Sequence, residues 1–273
     1  MADRRPLPPM SALEHAISNT FRHSFFALKL VLAWALVLVP AFALAMLPLQ
    51  GLNLQDAAHL PPHAIAILAV LGVLVLLALL SMGVNWQRRL LLGENPKGLA
   101  WWRLDGHVWR SLFAHIIVFV ALAIFAALAA AMKTFGEPWL TAKIGGAAKP
   151  VTILVLVILG IIGLTTGYRL AVKLPGVAIG RRDYKFRHAW GDTRRNTLRL
   201  LGFTFWYLFS LAVAGAICAG AFFAQKMQPT VWAQIAAAVV IALAIWFALW
   251  MSLTVFASMY SYWGEKKDFP SPL

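Results

Sequence analysis

Six apolar runs limit what this chain can become. They lie near residues 24–48, 63–85, 112–132, 151–170, 200–224 and 231–259. A helix of about 20 residues crosses the hydrocarbon of a bilayer, and each run is at or near that length. Lipid offers no hydrogen bonds, so a spanning segment must satisfy its own backbone. The expected class is therefore all-α, a polytopic membrane protein with six transmembrane helices. It should form one domain over residues 1–273, with 1–23 as an amphipathic N-terminal segment and 260–273 as a short tail. Composition agrees: 61% of residues are hydrophobic and 12% charged, whereas soluble domains carry about 25% charged residues.

The first run resembles a signal peptide in position, but its apolar core exceeds the usual ~7–15 residues. We read it as a retained anchor, although Ala43-Leu44-Ala45 offers a small-residue cleavage pattern. Pro40 falls inside it and predicts a kink that neighbouring helices can absorb.

Charge gives an orientation. Lys and Arg number 24 against 10 Asp and Glu, for a formal net charge of +14. Segments that alternate across the membrane hold twenty basic residues on one side and four on the other. Lys and Arg are retained in cytoplasmic loops, so both termini are expected in the cytoplasm. The same rule accounts for the positive charge without nucleic acid, and no nucleic-acid partner is expected. Cys218 is the single cysteine. It excludes an intramolecular disulfide and a thiolate cluster, and it reads as a small buried hydrophobe.

Two basic loops share a pattern. "LLLGENPKGLAWWRLDGHVWRSLF" (90–113) and "GVAIGRRDYKFRHAWGDTRRNTLRLLGF" (176–203) each place a Gly after two apolar residues, at Gly93 and Gly180. Each then has an Ala-Trp pair, Ala100-Trp101 and Ala189-Trp190, and a basic residue nine beyond that Trp, Arg110 and Arg199. The offset between the copies from the Ala-Trp pair onward is 89. This suggests a weak internal parallel repeat: second span, loop and third span, then fourth span, loop and fifth. The inverted repeats of many transporters run the other way.

Each loop is expected to form a cytoplasmic interfacial helix. In the first, Trp101, Leu104, Val108 and Leu112 recur at helical spacing, with Trp102 and Trp109 beside them and Arg103 and Arg110 free to snorkel. The second carries Arg181, Arg182, Lys185, Arg187, Arg194 and Arg195 around Trp190. Tryptophan favours the headgroup layer, and basic residues near the surface attract anionic lipid. These residues are the lipid-interface candidates, and membrane lipids, anionic ones in particular, are the expected partners. The plainer reading is that such loops only anchor helix ends and fix topology. Near the N-terminus, Ser11 and Glu14 have capping-box spacing, and Ile17, Phe21, Phe25 and Leu28 share one side of a predicted surface helix.

Motifs of chemistry are scarce. None of the ten acidic residues lies at mid-membrane depth, where proton- or cation-coupled carriers place theirs. His59 and His63 are four apart, but Pro61 and Pro62 intervene and no third ligand is near. His115 is the one histidine inside a span. Haem ligation would need a second axial ligand, so a hydrogen bond to a neighbouring helix is expected instead. "LGENPKG" lacks P-loop spacing, and neither GxSxG nor HExxH occurs. Asp105, His107 and Asp192 are the residues available for acid-base work, with pairing to Arg103 and Arg194 as the plainer role. No catalytic residue, metal or cofactor is assigned. Small-residue rows at Ala123, Ala127 and Ala131, and at Gly215, Ala216, Ala219 and Gly220, with Gly160 and Gly163, suit close helix packing within the bundle or in a homodimer.

The strings "RRLLLGE", "LPGVAIGRR" and "FRHAWGDTRRNTLRLLG", within about residues 75–205, resemble uncharacterised multi-pass proteins of bacterial inner membranes. The resemblance implies a six-helix inner-membrane fold and no particular activity. The expected function is a non-enzymatic accessory, assembly or scaffold protein, with a membrane-protein partner. The rival is a small-molecule or lipid carrier with its site between the repeats. A third class is an enzyme acting on lipid headgroups.

Overall fold

A computed structural model describes residues 8–50, 60–227 and 230–267, except for the side chains of Arg195 and Gln225. The described residues are helical throughout their regular structure, with no strand. The elements are α1 (Pro9–Arg22), α2 (Ser24–Met46), α3 (Pro62–Leu92), α4 (Gly106–Ala131), α5 (Glu137–Ile144), α6 (Ala148–Ala171), α7 (Leu174–Ala178), α8 (Phe186–Thr193), α9 (Thr197–Met227) and α10 (Val231–Trp263). Five stretches are long and apolar enough to cross a membrane. One of them, Gly98–Ala178, contains α4 and α6.

Helices pair as antiparallel neighbours. A Cβ on Gly163 would lie 3.1 Å from Phe125, and one on Gly167 2.8 Å from Leu122, so α6 descends as α4 rises. Phe26 of α2 stacks on Trp86 of α3 at 6.2 Å, while Leu38 and Leu74 share the same apolar cluster farther along. Tyr207 of α9 meets Ser252 of α10, and Ala221 and Ala224 face Ala236 and Ala237 where α9 ends and α10 begins.

These pairs converge at the end that carries the two basic loops, here the basic end. The largest fully buried side chains include Trp86, Trp250, Tyr260, Phe203 and Leu200. All belong to that end. There the Trp86 indole N–H donates to the Thr254 hydroxyl at 3.0 Å, and Thr254 donates to the Trp250 carbonyl at 2.7 Å. The far halves of the helices are mostly exposed: only 6% of the most apolar 18-residue stretch of α9 is buried. Those faces are apolar, so lipid is a suitable solvent for them.

α1 does not lie across the bundle end as its amphipathic pattern predicts. It runs antiparallel to the end of α10, with the hydroxyls of Thr20 and Thr254 3.1 Å apart and His15 Nδ1 3.0 Å from Ser258 Oγ. Its buried face is Ala12, Leu13, Ala16 and Thr20. Phe21 and Phe25 stay exposed. Nor does Ser11 cap it. The helix begins two residues earlier at Pro9, since proline at the first helical position has no N–H to satisfy. α2 continues through Pro40.

The loops also differ from expectation. The first does not form one helix from Trp101 to Leu112. It makes a five-residue 3-10 helix, Gly98–Trp102, and then α4 starts anew at Gly106. Asp105 causes the interruption: its backbone is extended and its carboxylate accepts the His107 N–H at 2.9 Å, an N-cap that favours starting a helix over continuing one. The second loop does form a helix around Trp190, the eight-residue α8. Gly93 and Gly180 both adopt left-handed backbone, with φ of 68° and 85°. They terminate α3 and the α7 turn at matching points of the pattern, where any other residue would be strained. In the second copy, α6 and α7 are separate because Pro175 has no N–H to offer the Ala171 carbonyl.

Candidate functional site

A partly enclosed cavity of about 700 Å³ lies between α3, α4, the end of α6, α7 and α10, toward the basic end. Pockets for small molecules span about 300–1,000 Å³. Its deep wall is apolar and buried, with Leu80, Val84, Val118, Leu174 and Trp250. Its rim is different. Leu76 and Leu79 of α3 and Ile116 and Phe119 of α4 also line it, yet are 44–65% exposed. The cavity therefore opens sideways, between α3 and α4, where the helices are apolar on their outer faces. Toward the basic end that gap is closed by Leu80, Val84, Val108, Leu112 and Ala178, which form one cluster.

Four polar side chains line the space: Gln87, Ser111, His115 and Ser252. Ser111 and Ser252 are committed to the protein, and Gln87 only through its amide nitrogen, since its Oε1 is buried without a partner. Gln87 Nε2 is 3.5 Å from the Leu253 carbonyl. Ser252 donates to the Ala248 carbonyl and meets the Tyr207 hydroxyl. Ser111 lies one turn before His115, with its Oγ 3.4 Å from the ring. His115 Nδ1 sits 2.7 Å from the Ser111 carbonyl. The expected bond to a neighbouring helix is thus replaced by one within α4. Spacing of four residues makes that the nearer acceptor. No Lys, Arg, Asp or Glu lines the cavity.

The lipid-interface candidates divide between the two loops. Trp101 packs on Phe26 at 5.8 Å, and Trp102 donates its indole N–H to the Ala33 carbonyl at 2.6 Å. Arg103 donates to Asn85 Oδ1 at 3.0 Å and pairs with Asp105 at 3.2 Å, while Asn85 donates to the Ala100 carbonyl at 2.9 Å. Beside them, Arg88 grips both oxygens of Glu94 at 2.7 and 2.6 Å and reaches the Ala178 carbonyl at 3.2 Å. That hydrogen-bonded guanidinium holds the Glu94 carboxyl below the usual carboxylate range. Arg89 bonds the Gly93 carbonyl and Asn95. The first loop is tied into the bundle, and of its candidates only Trp109 and Arg110 are exposed.

In the second loop, Arg181, Arg182, Lys185, Arg187, Trp190 and Arg194 are all exposed. Arg181 pairs with Asp183 at 3.2 Å, both well exposed, and Arg169 lies 4.8 Å above the Trp190 ring. Lys173 donates to the Tyr184 carbonyl at 2.7 Å. Tyr184 donates to Asp192 at 3.1 Å, so Asp192 serves a buried phenol whose ionisation is pushed up by that burial. The Arg195 side chain lies outside the described residues.

Asp105 is thus an N-cap paired with Arg103, and Asp192 is the acceptor for Tyr184. No metal-binding group of three acids, histidines or cysteines occurs among the described residues, and His59 lies outside them. The small-residue rows at Ala123, Ala127 and Ala131 and at Gly215, Ala216, Ala219 and Gly220 are exposed. Sequence reading singled out His115 by its place in a span. It missed the cavity around it, because the lining residues are mostly ordinary apolar ones drawn from five elements. The fold defines an all-helical protein of multi-pass membrane type with a lateral apolar cavity. No protein-family model, curated protein or solved structure matches the chain.

Proposed function

We propose that the protein crosses a bacterial inner membrane six times, with both termini in the cytoplasm, and acts as a carrier for a lipid or other apolar small molecule. The observation that carries this reading is the cavity of about 700 Å³ with its lateral rim between α3 and α4. Water is a poor occupant for it. A buried water needs about 2–4 polar partners, and the lining is apolar over most of its extent. An apolar molecule entering from the bilayer loses no hydrogen bonds and gains dispersion contacts. The α4–α6 pair within Gly98–Ala178 supports counting that stretch as two crossings.

The experiment is native mass spectrometry from mild detergent. Wild-type protein should retain an apolar adduct, and Leu112→Trp, which fills the cavity, should lose it while keeping its elution volume. An adduct retained equally by both would reject the cavity as the site. Topology is tested by labelling single cysteines in a Cys218→Ala background. Lys143→Cys should react from outside the cell and Lys185→Cys only after permeabilisation; the reverse result overturns the orientation.

A second reading, an accessory, assembly or scaffold protein, draws on the exposed small-residue rows of α4 and α9. Such rows allow helices of a partner or second copy to approach closely. Comigration of a stoichiometric partner with an empty cavity would favour it. In either reading the exposed cations of the second loop suit anionic headgroups.

A further inference from the structure

We infer that the cavity selects an apolar molecule whose polar end is a single neutral hydroxyl, held by His115 Nε2. This rests on the reading of the cavity as a binding site. The argument starts from the ring's other nitrogen. Nδ1 lies 2.7 Å from the Ser111 carbonyl oxygen, which can only accept. Nδ1 therefore carries the hydrogen. In a neutral imidazole the other nitrogen is then a bare acceptor. No hydrogen bond reaches Nε2 from the described residues, while the ring itself lines the cavity. Gln87 Oε1 and the Trp250 indole N–H on the same wall are also unpartnered, but both atoms are fully buried, which leaves Nε2 as the uncommitted acceptor that a bound molecule can reach in a largely apolar space.

The matching group is a donor. An alcohol or phenol supplies one O–H to Nε2 and leaves its apolar body in contact with Leu80, Val84 and Leu253. A plain hydrocarbon fits the wall but leaves Nε2 without a partner. A phosphate or carboxylate head meets no Lys or Arg in the wall, so it would lose its hydration without a counter-charge. A zwitterionic head suffers the same loss twice. The lateral rim suits such a ligand: its entry path runs through acyl chains, and a long-chain or isoprenoid alcohol already resides there.

The test uses the full chain in phosphatidylcholine nanodiscs and three photoreactive diazirine probes of equal length: hexadecanol, hexadecane and palmitic acid. Labelled peptides are mapped by mass spectrometry. The alcohol should label the α3, α4 and α10 wall about three- to tenfold more than the hydrocarbon, the ratio expected for one additional buried hydrogen bond. His115→Phe should remove that preference while leaving hydrocarbon labelling of the wall intact. His115→Gln, which restores an acceptor, should recover part of it. Equal labelling of the wild-type wall by alcohol and hydrocarbon overturns the hydroxyl inference but leaves the cavity reading standing. Stronger labelling by palmitic acid than by the alcohol overturns the neutral head. No labelling of the wall by any probe overturns both.

Discussion

The two basic loops begin with similar sequence and end in different employment. The first, at 86–111, has five basic residues and two acids; the segment at 169–199 has nine and two. What separates them is the supply of acceptors. In the first, Glu94, Asn85, Asp105 and Asn95 take up Arg88, Arg103 and Arg89. Its Trp101 and Trp102 turn inward onto α2. In the second, Asp192 is occupied by Tyr184, and five cations stay exposed on or beside α8. An aromatic-basic string is therefore compatible with a clasp between helices and with a charged outer surface. The neighbouring acids and amides decide which one forms.

The largest expected effect follows from that contrast. Neutralising Arg181, Arg182, Lys185 and Arg187 together should lower retention of anionic lipid strongly, since each basic residue near a membrane surface contributes on the order of 1 kcal/mol. The effect should fade at high salt, where the Debye length shrinks to about 3 Å. Neutralising Arg88 and Arg103 should leave lipid retention nearly unchanged. Native mass spectra at low salt, with orientation rechecked in each variant, make the comparison. Equal loss from both sets would erase the distinction between clasp and surface.

Stability should respond in the opposite sense. Arg88→Ala removes two charge-assisted bonds to Glu94 and one to the Ala178 carbonyl that joins α3 to α7. Hydrogen bonds to charged groups are worth about 1.5–3 kcal/mol, and the loss should fall in that range. Arg181→Ala removes one exposed pair, for which about 0–1 kcal/mol is typical. Unfolding in detergent, followed by tryptophan fluorescence, compares the two. A loss for Arg181→Ala as large as that for Arg88→Ala would contradict the assignment of the first loop as the clasp.

The helices and their approximate limits were readable because a long apolar run has few alternatives in lipid. Burial was not, because lipid and protein interior are equally apolar and hydropathy does not tell them apart. Trp101 and Trp102 show the difficulty. Their composition fits the headgroup layer, and their actual neighbours are Phe26 and the Ala33 carbonyl. A signal for this was present in Asn85 and Gln87, amides near the end of an apolar helix that need partners. α1 shows another limit. An amphipathic pattern reports that one face is covered, and does not say whether a membrane or α10 covers it. The cavity left no mark in the sequence, since a void is made by the spacing of helices.

The smallest expected effect tests whether the clasp is ionic. The bond from Arg88 lowers the Glu94 carboxyl below its ordinary range in the folded protein. In the unfolded chain the group titrates near its reference value of about 4.3. Between those two values the unfolded state binds more protons than the folded one, so stability falls as pH falls. The contribution is complete above about pH 4.3 and gone once the pH passes below the folded value. Glu94 is 41% exposed, so solvent screens the pair and the change should stay below about 1 kcal/mol. Other carboxylates titrate in the same window, which makes the informative quantity a difference. Wild type should lose more stability than Glu94→Gln as the pH is lowered from 6 toward the acid limit of the assay. Above pH 6 the two should differ by a constant amount. Parallel curves throughout would mean that Arg88 holds the first loop through the Ala178 carbonyl alone, and that charge does not separate the loops in the way their hydrogen bonds do.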